Sequence, residues 1–306
     1  MSKNIIFEAY PDQICALLER RDRKLRLSLP SYINGNAYSL VLADAKLWRV
    51  GILRVSFKGG SSELHGKIAE VASRWSLYGG IKFDFGYNKD TGEYRKWSKN
   101  DDSHIRVGFE YEGYWSLVGT DSADPNIVGT SDITLNLSDF DNVLPPDWEG
   151  TVLHEFGHAL GFHHEHQSPA ALCDFDWDKV YEELGGSPNN WPKWKVDYNL
   201  KQLPAEGLTI SNYDKDSVMH YAFQSWMFKS GTSSPCYTRQ SNKLSATDIQ
   251  MMERAYPMDK DRANLINSNR IRNLSGIVAN KELDENSLKR FNRQLSYLKK
   301  HEDMNG

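Results

Sequence analysis

The stretch Thr151–Pro169, TVLHEFGHALGFHHEHQSP, contains five of the nine histidines in this 306-residue chain. On an α-helix, His154 and His158 lie one turn apart on the same face, so that both imidazoles can bind a single ion. Glu155 is rotated toward a water molecule bound to that ion. The stretch therefore predicts a metal clamp on a helix with a general base built into it.

The residues after this helix supply a third ligand. Gly161 is predicted to end the helix, and His164 then returns to the ion, leaving the fourth tetrahedral position of zinc for water or substrate. His163 is adjacent and is a rival ligand, but the spacing of the longer motif selects His164. His166 is expected to support the ligands or to face solvent. The sequence thus predicts one catalytic Zn²⁺.

Two motifs carry a resemblance to a known family. HEFGHALGFHHE (154–165) resembles the extended zinc signature of the astacins, a branch of the metzincin peptidases in which Glu follows the third His, here Glu165. NYDKDSVMHY (212–221) resembles the astacin Met-turn, with Met219 beneath the metal and Tyr221 two residues later. The resemblance covers about residues 47–257, since LW at 47–48, YWSLVGT at 114–120 and LSATDIQMMERAYP at 244–257 are also similar to astacin segments.

The resemblance implies a zinc-dependent endopeptidase that cleaves proteins or peptides. It implies that Glu155 is the general base and that Tyr221 stabilises the oxyanion, with Met219, Glu165 and Gly161 in supporting positions. The substrate of metzincins lies extended along an edge strand, and DITLNLS (132–138) matches that strand in position and alternation. In mature astacins the Glu after the third His pairs with the new N-terminal amine. Here either the N-terminus is trimmed or Glu165 has another partner.

The hydrophobic periodicity predicts a mixed sheet with helices, and the resemblance implies an α+β fold of the metzincin type. An upper subdomain of about 47–161 contains a twisted mixed sheet and the active-site helix. A lower subdomain of about 162–257 is irregular and ends in a late helix with Ser245 as its N-cap. Residues 1–46 are expected to form an N-terminal extension that could act as a pro-like segment, and residues 258–306 to form a polar helical appendage.

Composition limits the partners. The formal charge of −4 and the pI near 6.2 give no electrostatic reason to expect nucleic acid. No uncharged apolar run reaches the roughly 20 residues of a membrane span, so that membrane insertion is not expected. We expect a monomer. The apolar start of the chain is broken by Glu8, Pro11 and Asp12, which predicts a cytoplasmic protein or one exported without the usual signal peptide.

Several alternatives stay open at this point. Cys173 and Cys236 could form a disulfide, although an odd number of scattered cysteines favours reduced thiols. Cys15 or Asp44 could occupy the zinc as an inhibitory ligand. Four tryptophans of the lower subdomain are candidates for the walls of the cleft, although burial in the core is favoured: Trp177, Trp191, Trp194 and Trp226. A catalytically latent interaction or effector module is the non-enzymatic alternative, and a zinc hydrolase of non-peptide amides is a third.

Overall fold

The computed structural model describes residues 10–27, 46–124, 127, 132–203, 211–279 and 285–302. Its helices are α1 (Asp12–Leu27), α2 (Ser62–Ala72), α3 (Trp148–Leu160), α4 (Trp177–Gly185), α5 (Lys193–Leu200), α6 (Ala246–Ala255), α7 (Lys260–Val278) and α8 (Glu285–Glu302). Its strands are β1 (Ile52–Lys58), β2 (Lys82–Asp84), β3 (Ile105–Gly108), β4 (Tyr114–Ser116) and β5 (Leu135–Leu137). Among these residues, none of the helices has the length and apolarity that a membrane crossing requires.

The five described strands form one mixed sheet in the order β2-β1-β3-β5-β4. Of these strands, β4 alone is antiparallel to its neighbour, and α2 and α3 pack together with the sheet around the main hydrophobic core. The predicted α+β fold is confirmed. The assignment of residues 132–138 as the edge strand is wrong, because β5 pairs on both sides and β4 lies at the edge. Alternation within a strand does not reveal which strands lie beside it.

The helix α3, which carries His154, Glu155 and His158, is fixed by hydrogen bonds at its end and along one side. Gly161 has φ 108° and its N–H donates to the His158 carbonyl, while the Phe162 N–H donates to the Gly157 carbonyl. This is the left-handed cap that glycine favours, because a side chain is strained at that φ. The fully buried Trp75 donates from its indole N–H to the Leu153 carbonyl. The predicted helix end at Gly161 is therefore confirmed.

The lower subdomain has a second core, in which aromatic side chains predominate. Trp191 is buried in this core and Trp177 and Trp226 pack against it, whereas Trp194 is exposed. Three of the four tryptophans thus belong to the core, as favoured from the sequence. At the end of this subdomain Ser245 caps α6 in a reciprocal capping box with Asp248.

Cys173 and Cys236 form a disulfide, so the preference for reduced thiols was wrong. The two cysteines are 63 residues apart in sequence. Their segments are brought together by a bridge between Phe175 and Phe228 and by the Asp174 carbonyl, which accepts from the Lys229 N–H. Nothing in the spacing of the cysteines signals this contact.

The helices at the two ends of the described chain differ in their contacts. In the appendage, α7 and α8 pack against each other around a small core of their own, formed by Leu274, Ile277, Phe291, Leu295 and Leu298. In the N-terminal extension, α1 is 16 residues long. It packs through Leu18 against Leu117 of the upper subdomain.

Candidate metal centre and active site

Three histidine side chains meet beside α3. The Nε2 atom of His158 lies 3.1 Å from Nε2 of His154 and 3.0 Å from Nε2 of His164. Zinc bound to nitrogen at about 2.0–2.1 Å in tetrahedral geometry separates two ligand nitrogens by about 3.3 Å. The three nitrogens are therefore spaced close to what one zinc ion requires, and the donor set is that of a catalytic zinc site with an open position.

The opposite ring nitrogens determine which atom faces the ion. Nδ1 of His154 lies 2.6 Å from the Val218 carbonyl oxygen, and Nδ1 of His158 lies 2.7 Å from the Phe162 carbonyl oxygen. Since a carbonyl only accepts, each Nδ1 carries the proton and each Nε2 presents its lone pair. Both ligands on the helix are thus oriented by main-chain groups, which no side-chain substitution can remove.

The third ligand is oriented by a side chain instead. Nδ1 of His164 lies 3.1 Å from the Oε1 atom of Gln167. The orientation of this amide is fixed because its Nε2 group donates to the carbonyls of Tyr198 and Lys201. Gln167 was not identified from the sequence. Its position three residues after the ligand, in a short 3₁₀ turn, is the signal that could have found it.

Glu155 is buried on α3, one residue after the first ligand. Tyr114 of the edge strand lies close enough to Glu155 for the carboxylate to act on it electrostatically. Burial raises the pKa of the Tyr114 hydroxyl, and the carboxylates of Asp139 and Glu155 raise it further. A carboxylate beside the metal ligands and near the edge strand is in the position of a general base for an extended substrate. Tyr114 is a second residue that the sequence did not single out.

The Met-turn lies directly beneath the helix. A Cβ atom on Gly157 would lie 2.4 Å from the Sδ atom of Met219, so that only glycine fits between the helix and this methionine. The Glu165 N–H donates to the Met219 carbonyl at 2.9 Å, and Oε1 of Glu165 accepts from the Asp214 N–H at 2.8 Å. Glu165 therefore has a partner in the turn segment and joins the third ligand to it. Burial raises the pKa of Glu165 to about 7.

Tyr221 lies against the ligands. Its ring centroid is 4.3 Å from that of His164 and 5.6 Å from that of His154. The His166 ring is 5.0 Å from Tyr221, is fully buried, and bonds through Nε2 to the Asn199 carbonyl. His166 thus supports the site and does not face solvent.

The remaining candidates lie elsewhere. Among the described residues, the histidine group that can hold an ion contains His164 and not His163. Both His163 and His164 line a cavity of about 410 Å³ between the ligand loop and the helices α6 and α7. Cys15 is buried in α1, where its pKa is raised to about 11 mainly by burial, and it is not part of the metal group. The suggestion that Cys15 occupies the zinc is wrong for this structure, and Asp44 lies outside the described residues.

Comparison with known proteins agrees with this geometry. Residues 87–257, more than half of the chain, match the model of the Astacin peptidase family. The chain belongs to the astacin family. The resemblance drawn from the zinc signature and the Met-turn is confirmed.

Three similar proteins illustrate the relationship. Meprin A subunit beta of Rattus norvegicus is 31% identical over 153 residues, which are 49% of this chain and 18% of the relative. Zinc metalloproteinase nas-3 of Caenorhabditis elegans is 37% identical over 98 residues, 31% of this chain and 28% of the relative. The structure of myroilysin aligns with a TM-score of 0.58 and 32% identity, covering 70% of this chain and 96% of that one. The chain therefore spans less than a third of the length of these two curated relatives, whereas it covers nearly all of the myroilysin chain.

Proposed function

We propose that this astacin-family chain is a zinc-dependent endopeptidase that hydrolyses peptide bonds in proteins. The observation that carries the proposal is the convergence of three Nε2 atoms beside a buried glutamate on the same helix. These four side chains are the complete set for hydrolysis by a metal-activated water.

The roles of the residues follow from their positions. His154, His158 and His164 would hold a zinc ion, which would supply a Lewis acid for the scissile carbonyl and lower the pKa of a water molecule. Glu155 takes a proton from the attacking water and returns it to the nitrogen of the leaving amine. The hydroxyl of Tyr221 donates a hydrogen bond to the carbonyl oxygen as that oxygen gains negative charge. The reaction needs no covalent bond between enzyme and substrate.

The edge strand β4 offers a surface along which an extended peptide substrate can bind. A strand with one paired side leaves main-chain groups along its other side for an extended peptide. Such pairing reads the peptide backbone and therefore favours proteins or peptides over other amides. The latent alternative is disfavoured because this chain keeps the metal ligands, the base, Met219 and Tyr221 together.

The decisive experiment compares the full chain with its Glu155→Gln variant. Bound zinc is determined by elemental analysis, and cleavage of casein is followed for both proteins. We expect about one zinc per chain in each, with cleavage reduced by about 10²–10⁴ in the variant. Casein cleavage that persists in the variant would contradict the role of Glu155. Zinc without casein cleavage in either protein would favour the latent module or the hydrolase of other amides.

We infer further that the N-terminal extension, residues 1–46, restrains the active site. The hydroxyl of Tyr10 donates to the Ser116 carbonyl on β4, and the Tyr10 ring packs edge-on against Trp115. Asp12 forms an ion pair with the buried Lys195 of α5 at 2.5 Å. The segment containing α1 thus contacts the edge strand and the lower subdomain together, where an extended substrate would lie.

Removal of residues 1–46 tests this role. We expect kcat/KM for a casein-derived peptide to rise at least about tenfold, because the edge strand becomes accessible. Arg21→Ala is a milder variant for use if the truncated chain does not fold, since it removes the bidentate pair with Asp121 that anchors α1. An unchanged kcat/KM in a folded truncated chain would show that the extension does not restrain the site.

A further inference from the structure

A second group of metal-ligating side chains lies in the lower subdomain. The sulfur atoms of Cys173 and Cys236 and a ring nitrogen of His220 lie within 4.8 Å of one another. His220 and Cys236 are buried, and the two cysteines are joined in a disulfide. None of these three residues is a ligand of the catalytic site.

The hydrogen bonds of His220 leave one of its nitrogens suited to a metal. Nδ1 of His220 lies 2.7 Å from the Tyr221 carbonyl oxygen, which only accepts, so Nδ1 carries the proton and Nε2 has the lone pair. The hydroxyl of Tyr213 lies 2.8 Å from Nε2 and 3.3 Å from the Pro235 carbonyl oxygen. This hydroxyl therefore has a second acceptor if a metal takes Nε2.

The segments that carry the two cysteines are held together independently of the disulfide. The carboxylate of Asp174 accepts hydrogen bonds from the N–H and the hydroxyl of Ser230, at 2.9 and 2.6 Å, and from the hydroxyl of Ser234. The rings of Phe175 and Phe228 stack at 5.1 Å between centroids. Opening the disulfide breaks none of these contacts, so both sulfur atoms stay close to His220.

We propose that reduction of this disulfide creates a second zinc site whose ligands are Cys173, Cys236 and His220. A dithiol reductant gives two electrons and two protons to the disulfide and itself becomes a cyclic disulfide, leaving two protein thiols. Zinc then replaces the two thiol protons and binds both thiolates and Nε2, with water in the fourth position. Thiolates at about 2.3 Å from zinc lie about 3.8 Å apart, which requires the sulfur atoms to separate by rotation of their side chains.

The number of bound metal ions tests this site, in the Cys15→Ser background so that no other thiol is present. The protein is incubated with and without a dithiol, exchanged into excess zinc, passed through a desalting column and assayed for zinc. We expect about one zinc per oxidised chain and about two per reduced chain. The matched control, Cys173→Ser, should bind about one under both conditions. Zinc that stays at one in the reduced parent would overturn the proposal.

Cobalt distinguishes thiolate ligands from histidine ligands. Co²⁺ bound to thiolate has a strong near-ultraviolet charge-transfer absorption, which the three-histidine site does not produce. We expect this absorption in the reduced parent and its loss in His220→Ala and Cys236→Ser. If reduction unfolds the protein, the near-ultraviolet circular dichroism is followed while zinc is added. Stoichiometric recovery in the parent but not in Cys236→Ser would support the site, and absence of recovery would overturn it.

Discussion

His154, Glu155 and His158 lie on one helix, whereas His164, Met219 and Tyr221 lie on segments that form neither α-helix nor strand. The helical half is positioned by the helix geometry itself, and its ligand histidines donate to main-chain carbonyls. The second half depends on contacts between side chains and distant segments. One side of the metal site is therefore held by a single helix, and the other side is assembled from separate contacts that single substitutions can remove.

The largest change is expected in zinc content, when His164, the metal ligand outside the helix, is replaced. His164→Ala should reduce bound zinc from about one to less than about 0.1 per chain after dialysis, because two nitrogen ligands do not hold the ion. His163→Ala is the matched control, since His163 does not belong to the histidine group that can hold an ion, and it should keep its zinc. Elemental analysis of both variants makes the comparison. Loss of zinc in His163→Ala with retention in His164→Ala would reverse the assignment.

The next effect concerns Tyr221, which packs against the ligand rings. Tyr221→Phe should lower kcat by about 10²–10³ while leaving KM and zinc content nearly unchanged, because the hydroxyl acts on charge that develops during the reaction. Tyr213→Phe removes a hydroxyl from the same turn segment and should have a much smaller effect on kcat. Steady-state kinetics with a peptide substrate checks both. An equal decrease in kcat in the two variants would indicate a structural role for Tyr221.

The residues of the helical half of the site could be predicted from their local spacing alone, whereas Met219 and Tyr221 of the non-helical half could not. Helical spacing was enough for His154, Glu155 and His158, because residues one turn apart share a face. Met219 and Tyr221 required the resemblance to a family, since nothing in their local pattern marks a contact with a helix that ends about 60 residues earlier. The edge strand was assigned wrongly because strand order is set by long-range pairing. The Cys173–Cys236 disulfide was named but disfavoured, and Gln167 was missed, because both depend on how separate segments meet in the folded chain.

A smaller change, in zinc affinity, is expected when Gln167 is replaced, because its side chain orients the ligand His164. Gln167→Met keeps the length of the side chain but removes the acceptor for Nδ1 of His164, so zinc affinity should fall by about 10–100-fold. Gln202→Met is the control, because Gln202 also bonds to main-chain carbonyls, those of Ser168 and Ala171, but to no ligand. Competition with a chromophoric chelator measures both affinities. Equal zinc affinities in the two variants would show that Gln167 does not tune the metal.

The smallest change is expected in the free energy of unfolding, for a substitution at the start of α6. Ser245 caps this helix with Asp248, whose carboxylate also accepts from the Val218 N–H, while the Val218 carbonyl accepts from His154. Ser245→Ala should lower the free energy of unfolding by about 1 kcal/mol through loss of the cap. Ser241→Ala, in a surface turn, should lower the free energy of unfolding by less than this. Denaturant unfolding of the zinc-loaded proteins measures both. Because Asp248 of the capping box accepts a hydrogen bond from the Val218 N–H, the zinc affinity of Ser245→Ala should also fall slightly. A wholly unchanged zinc affinity would show that the helical half of the site is independent of α6.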